Sequence, residues 1–352
     1  MLIISSLKKG VSRANHSKRV LFFLLLVNIL VASILAGRFL ANLDNYVKDS
    51  VMEESLQKGF DLGWHSTYQF DFQKNEDMTT LSPWIFGYSV FFHNTEAFLN
   101  GNTFKPIGNF LKDLIFRFKV NAGVLGPFTL LGLLYVLIGN FASGGLLGIY
   151  NKSTHSFLFR EFLESGARYF GRFFRISLVA LILYFLFFVL IVDPITTLIP
   201  FWTANAPSEI TPFVYYMMKN AIVLLILLFL NMTFDYAKIK MVVEERASSV
   251  LGVISAFGFC GRRFFRAYGL YLLIGVIGLV FIVLYSWIES VVPQTSFSAI
   301  LFVFLLQQLY MFSKMWLKGT FYASQLELYK ESTRGEASLP VTGNVPATAV
   351  GA

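Results

Sequence analysis

The sequence predicts an all-α fold: a six-transmembrane-helix bundle with two cytoplasmic interfacial amphipathic helices and a small helical extracytoplasmic insertion. Three observations predict it. Of 352 residues, 55% are hydrophobic and 17% aromatic, and only 14% are charged, against roughly 25% in an ordinary soluble domain. Six apolar runs approach the roughly 20 residues that a helix needs to cross a hydrocarbon core of about 30 Å. Basic residues gather at alternate ends of those runs, which is how a membrane protein records its orientation. The formal charge of +8 would suggest nucleic acid in a soluble chain, but bases confined to the ends of apolar runs do not, and no nucleic-acid partner is expected.

Residues 1–19 form a cytoplasmic basic leader, with Lys8, Lys9, Arg13, Lys18 and Arg19 and no acid. The first span, 20–40, exceeds the apolar core of a signal peptide, and VASILAG offers no A-x-A cleavage site, so it is expected to stay as an anchor. Residues 41–120 are the extracytoplasmic insertion, too long for a structureless loop. Val47, Val51, Met52, Leu56 and Phe60 recur there at helical spacing, Ser82-Pro83 interrupts, and Asn109 to Lys119 reads as a second amphipathic helix. Residues 121–331 form a five-helix membrane core, with spans near Ala122–Tyr150, Ile176–Ile195, Phe213–Phe234, Ala267–Ile288 and Ser296–Phe312. Residues 332–352 read as a disordered cytoplasmic tail. Its LPVTG, Leu339 to Gly343, resembles a sorting signal but lacks the following apolar stop and basic tail.

Orientation follows from the bases. The segment after span two carries Lys152, Arg160, Arg168, Arg172 and Arg175; the one after span four carries Lys238, Lys240, Arg246, Arg262, Arg263 and Arg266. The segments 193–212 and 289–297 contain no Lys or Arg, and in 41–118 acids outnumber bases. Both termini are therefore expected in the cytoplasm.

An offset of 91 positions carries Arg172-Phe173-Phe174-Arg175 onto Arg263-Phe264-Phe265-Arg266. In each copy a helix-compatible stretch precedes this Arg-Phe-Phe-Arg clasp and a span follows, the pattern of a parallel repeat. In the first, Phe159, Phe162, Leu163, Gly166, Phe170 and Phe173 share one helical face, while Arg160, Glu164, Arg168 and Arg172 fall four apart on another. In the second, Val250, Val253, Ile254, Phe257 and Phe264 form the apolar set and the charge waits until Arg262. Both suit helices lying in the interface, with aromatics among acyl chains and guanidinium groups at phosphate depth. Arg168, Arg172, Arg175, Arg262, Arg263 and Arg266 are thus candidates for binding anionic membrane lipid or an unidentified membrane protein partner. The plainer reading is that they anchor helix ends.

The runs FDYAKIKMVVEERASSVLGVISAF, Phe234 to Phe257, and GGLLGIYNKSTHSFLFREFLESGARYF, from Gly144, resemble a group of uncharacterised multi-pass bacterial membrane proteins. In layout these are similar to the membrane domain of some glycerophosphoryl diester phosphodiesterases. The resemblance covers roughly 144–328 and implies a bacterial plasma (inner) membrane and a helical bundle. It implies no activity, because the soluble phosphodiesterase domain has no counterpart among these residues.

Chemistry is sparsely signalled. His16, His65, His93 and His155 are scattered, and no HExxH, GxSxG or GxxxxGK[ST] occurs, so no catalytic residue, metal or cofactor is expected. GGLLG, Gly144 to Gly148, suits close helix packing. Glu53, Glu54, Asp61 and His65 could serve an outer-face enzyme, though a solvated helix face looks the same. Asn140, Asn231, Gln307 and Gln308 are polar groups within spans, suited to interhelical hydrogen bonds, as is Asn28. Arg38 and Lys219 are near enough to the outer face to snorkel, Asn220 adjoins Lys219, and Asp235 is expected to end its span at cytoplasmic water. The leading expectation is a non-enzymatic integral membrane protein with a lipid-associated or partner-binding role. The alternatives are a transporter or permease subunit using the polar residues of spans four and six, and the outer-face enzyme.

Overall fold

The computed structural model describes residues 2–48, 107–117, 127–152, 159–245, 248–292 and 296–337, and among these every regular element is helical. In chain order the helices are α1 (Leu2–His16), α2 (Lys18–Lys48), α3 (107–117), α4 (Pro127–Asn151), α5 (Phe159–Phe187), α6 (Asp193–Trp202), α7 (Ile210–Val243), α8 (Ser249–Arg262), α9 (Phe264–Val291) and α10 (Phe297–Ala337). Five helices are long and apolar enough to cross a membrane: α4, α5 running on into α6, α7, α9 and α10. The α1–α2 pair, bent by 70°, makes a sixth if taken as one span. The chain is built as a multi-pass membrane protein. Most of the 41–120 insertion, including Glu53, Glu54, Asp61 and His65, lies outside the described residues, as do the side chain of Arg38 and the tail beyond Ala337.

Several helices are longer than a bilayer is thick. At about 1.5 Å per residue, α7 runs about 50 Å and α10 about 60 Å, so each must project well beyond a 30 Å hydrocarbon core. The projections are not bare. They meet in a head whose core takes Leu21, Leu147, Phe162, Tyr236, Leu270 and Leu326, one from each of six helices, all fully or almost fully buried. The opposite ends form a shaft on which apolar side chains such as Leu190, Met218, Leu279 and Leu305 stand exposed. Hydrocarbon on an unpacked helix surface is costly in water and neutral in lipid, so the shaft is the part suited to the bilayer.

Small residues let the head close. On α4, Gly144, Gly145 and Gly148 face α5 so tightly that a Cβ at Gly148 would fall 2.3 Å from Ser165 Cβ. The GGLLG motif is thus a packing surface. The leader is helical as well: α1 lays Ser6, Gly10 and Ala14, four residues apart, against the last turns of α10. A Cβ at Gly10 would lie 2.6 Å from the Ser324 amide nitrogen, so only glycine fits. Around this seam Lys9 pairs with Glu331 at 2.5 Å, Arg13 with Glu327 at 2.7 Å, and Trp316 Nε1 donates to Asn15 Oδ1 at 2.8 Å.

The two clasps are built differently. In the first copy no separate interfacial helix turns into a span, because α5 runs unbroken through Arg172 to Arg175. It carries on past a π-helical turn at Phe188–Val192 into α6, where the Asp193 N–H reaches back to the Phe188 carbonyl just ahead of Pro194, which has no N–H to offer. In the second copy the helix does break. Ser248 caps α8 by accepting from Leu251 N, and Arg263, at φ −122° and ψ 35°, leaves helical geometry between α8 and α9. The physical difference is the neighbour: α5 is held along its length by α4, whereas α8 folds back on α7.

Candidate functional site: the basic boundary between head and shaft

Five charge-free stretches of helix end at a base on the head side; α7 is the exception, its run 220–234 lying between Lys219 at the far end and Asp235 at the head. Arg19 precedes α2's run, Lys152 follows α4's, Arg175 precedes the run to Asp193, Arg266 the run to Glu289, and Lys314 ends the run that starts after Glu289. Contacts between helices put these ends together. Tyr150, at the end of α4, shares a hydrogen bond of 2.8 Å with Ser17 between α1 and α2, and Leu21 reaches Gly319 on α10. The result is a girdle of cations where packed protein gives way to exposed hydrocarbon, the depth at which a bilayer presents phosphate.

The six candidate arginines divide by what they already hold. Arg168 is paired with Glu245 at 2.8 Å across α5 and the turn before α8. Arg263 donates to the Ser332 carbonyl at 2.9 Å and lies over the Phe259 ring at 4.9 Å, which fastens the α8–α9 break to α10. Arg172 is half-buried; its carbonyl accepts from Ser249 Oγ at 3.2 Å and its Nη1 is buried without a hydrogen-bond partner. Among the described residues the Arg262 side chain bonds to the Gly258 carbonyl one turn back, at 3.2 Å. The side chains of Arg175 and Arg266 are exposed and make no hydrogen bond or ion pair among the described residues. The structure therefore does not gather the six into one pocket. It spends Arg168 and Arg263 on the fold and leaves Arg175, Arg262 and Arg266 facing outward, with Arg172 between.

Of the four polar residues expected within spans, Asn140 and Asn231 bind helix to helix. Ser177 Oγ donates to Asn140 Oδ1 at 2.8 Å, joining α5 to α4, and Asn231 Nδ2 donates to Tyr271 Oη at 2.7 Å, joining α7 to α9. Tyr135 reaches Asn28 Oδ1 at 3.3 Å, and Lys219 reaches Thr196 Oγ1 at 3.0 Å. Gln307 is buried, and the Gln308 amide has both polar atoms buried without a partner. The four residues lie on three different helices and form no single constellation.

Asp235, expected at a water-facing span end, is half-buried: it sits on α7 where α10 packs, near Tyr184, Tyr236, Tyr271 and Gln325, with Lys238 and Lys318 among the neighbouring cations. The signal was there in α10, where Thr320, Ser324 and Gln325 put polar groups on the part of the helix beyond the span Ser296–Phe312. Among the described residues no group of three His, Cys, Asp or Glu side chains could hold a metal ion. Cys260 is buried against α7, and burial pushes its thiol up to about 12. No protein-family model matches the chain, and neither a curated protein nor a solved structure does.

Proposed function

We propose that this chain is a non-enzymatic integral protein of a bacterial plasma membrane that holds anionic phospholipid, or a partner protein of the same membrane, at its cytoplasmic head. The observation that carries the reading is the division among the arginines. A residue that only fastens helices should be engaged, as Arg168 and Arg263 are, yet Arg175 and Arg266 stand exposed at the boundary with no ion pair among the described residues. Exposed guanidinium groups at headgroup depth attract anionic lipid by roughly 1 kcal/mol each, and the planar fork matches a phosphate better than an ammonium does. The resemblance in layout to phosphodiesterase membrane domains fits a membrane-embedded support and brings no activity with it. In mixed phosphatidylcholine–phosphatidylglycerol nanodiscs, replacing Arg175, Arg262 and Arg266 together by Gln should reduce the phosphatidylglycerol retained on detergent extraction. Unchanged retention with an intact fold would remove the reading.

A second reading, the transporter, is favoured by one observation: the half-buried Asp235 carboxyl lies in the head near three tyrosines. A proton-coupled carrier should acidify proteoliposomes under an imposed potential, and Asp235→Asn should abolish that uptake while leaving the protein folded. No uptake above that of empty liposomes would eliminate it.

A further inference from the structure

The short helix α8 is apolar on two opposite faces, and only one of them is used inside the head. Gly252, Val253, Ala256, Phe259 and Cys260 are buried against α7, with Gly252 closed on Met241 and the Phe259 ring 5.1 Å from that of Tyr236. The other face presents Val250, Leu251 and Ile254, the last two 60% and 62% exposed, and leads on to Phe265 at 86%. Between Ser249 and Gly261 there is no charged residue. An amphipathic helix standing in water would place its charges on that outer face, and this one does not.

Both ends of α8 are fixed at the level where the spans begin. Ser249 is bonded to Arg172, three residues before Arg175 and the charge-free run to Asp193; Arg262 and Arg266 close the other end, just before the charge-free run to Glu289. About 21 Å of helix thus lies between two points of the head–shaft boundary. Its exposed face is continuous through Phe265 with the exposed shaft of α9, where Leu273 and Val276 continue the same hydrocarbon.

We infer that the outward face of α8 is seated in the lipid leaflet on the head side. Val250, Leu251, Ile254 and Phe265 lie among the upper acyl segments, with Arg262 and Arg266 at the phosphates. The occupant is bilayer phospholipid: the face adjoins surface that only lipid covers, and its flanking charges are exposed arginines complementary to phosphate. This deepens the lipid-associated reading and rests on it for the side chosen, while the seating itself depends on apolar contact and not on headgroup charge. A helix held this way occupies one leaflet only, so it should favour membranes whose headgroups are loosely packed.

Site-directed spin labelling of the full chain in nanodiscs tests the seating. In a Cys260→Ala background, Leu251→Cys and Ile254→Cys carry the label in turn, with Ser12→Cys on the exposed face of α1 as the water reference and Val276→Cys as the lipid reference. Accessibility to oxygen, which concentrates in hydrocarbon, is compared with accessibility to a water-soluble nickel chelate. The oxygen-to-nickel ratio at 251 and 254 is expected near that at 276 and several-fold above that at 12, in phosphatidylcholine alone as well as with phosphatidylglycerol. A ratio like that of residue 12 places the face in water and overturns the inference. Exclusion of both reagents means that protein covers it, a second copy or a partner, and overturns it equally. Because seating persists in uncharged lipid, loss of phosphatidylglycerol retention in the arginine variants and loss of seating are separate outcomes.

Discussion

At the scale of single residues, the head shows where the fold is under-satisfied and where it has no slack. Tyr236 is fully buried and its hydroxyl finds no hydrogen-bond partner among the described residues. A buried hydroxyl left unpaired costs about 1–3 kcal/mol, so Tyr236→Phe should hold or raise stability, by about 1 kcal/mol, and a thermal melt in detergent reads the change. A drop of similar size would show that the hydroxyl is bonded through something other than the chain. Gly10 behaves in the opposite way. A new Cβ would meet the Ser324 Oγ and, behind it, the Ser324 backbone nitrogen at 2.6 Å and Cα at 2.7 Å, and since the backbone cannot swing aside, Gly10→Val must push α1 off α10. Overpacking of this sort costs about 1–3 kcal/mol, and proteolysis at Arg13 should become faster as the helix lifts. Neither effect could be read from the sequence. Tyr236 and Gly10 look ordinary in their own segments, and only the partner helix, distant in the chain, makes one costly and the other obligatory.

At the scale of elements, α1 shows how a basic leader becomes structure. Its cations are answered by carboxylates more than 300 positions away in the sequence, Lys9 by Glu331 and Arg13 by Glu327. Lys9→Glu and Glu331→Lys should each loosen the seam, and the double exchange should recover about 0.5 kcal/mol of coupling, the worth of an exposed pair. The Glu331 carboxylate holds the Lys9 ammonium above its ordinary value of 10.5. A group whose folded value is raised contributes its stabilisation in full below the unfolded value and loses it as pH climbs through the folded one. The seam should therefore hold across neutral pH and weaken on the alkaline side of 10.5, seen as a rise in α1 hydrogen exchange beyond that expected from pH alone. Periodicity made the spans legible, because a run of hydrocarbon has one reading in any context. It also marked α8 as an apolar helix, but placed Val250, Val253 and Ile254 on a single face. In the structure Val253 is buried while Val250 and Ile254 are exposed. A helix apolar all round has no preferred face of its own, and α7 chooses it. Continuity of α5 through its clasp was illegible for the same reason, since the two clasps share a motif and differ only in the helix packed beside them.

At the scale of the whole molecule, the head and shaft explain why the charge pattern alternates so regularly. The helices that leave the head through α5 and α9 enter charge-free stretches and turn back through 193–212 and 289–297, which hold no Lys or Arg, so bases gather at the head, where α1 and the C-terminal half of α10 also pack together. The positive-inside bias acts on short segments near span ends, and here it acts in the same direction on most of them, Lys219 on α7 being an exception. A chain so biased has little to gain from any inverted or mixed insertion. Alkaline phosphatase folds only outside the cytoplasm and fluorescent protein only within it, so fusions report the side directly. Phosphatase joined after Asn205, in the turn between α6 and α7, should be active, and phosphatase after Val243 or Ala337 should be silent; fluorescent protein should give the reverse. Activity of phosphatase at Ala337 would invert the molecule and move the arginine boundary, with any lipid it holds, to the outer leaflet. A phosphatase signal at both Asn205 and Val243 would instead mean that α7 does not cross, which its 34 residues and unpacked apolar shaft argue against.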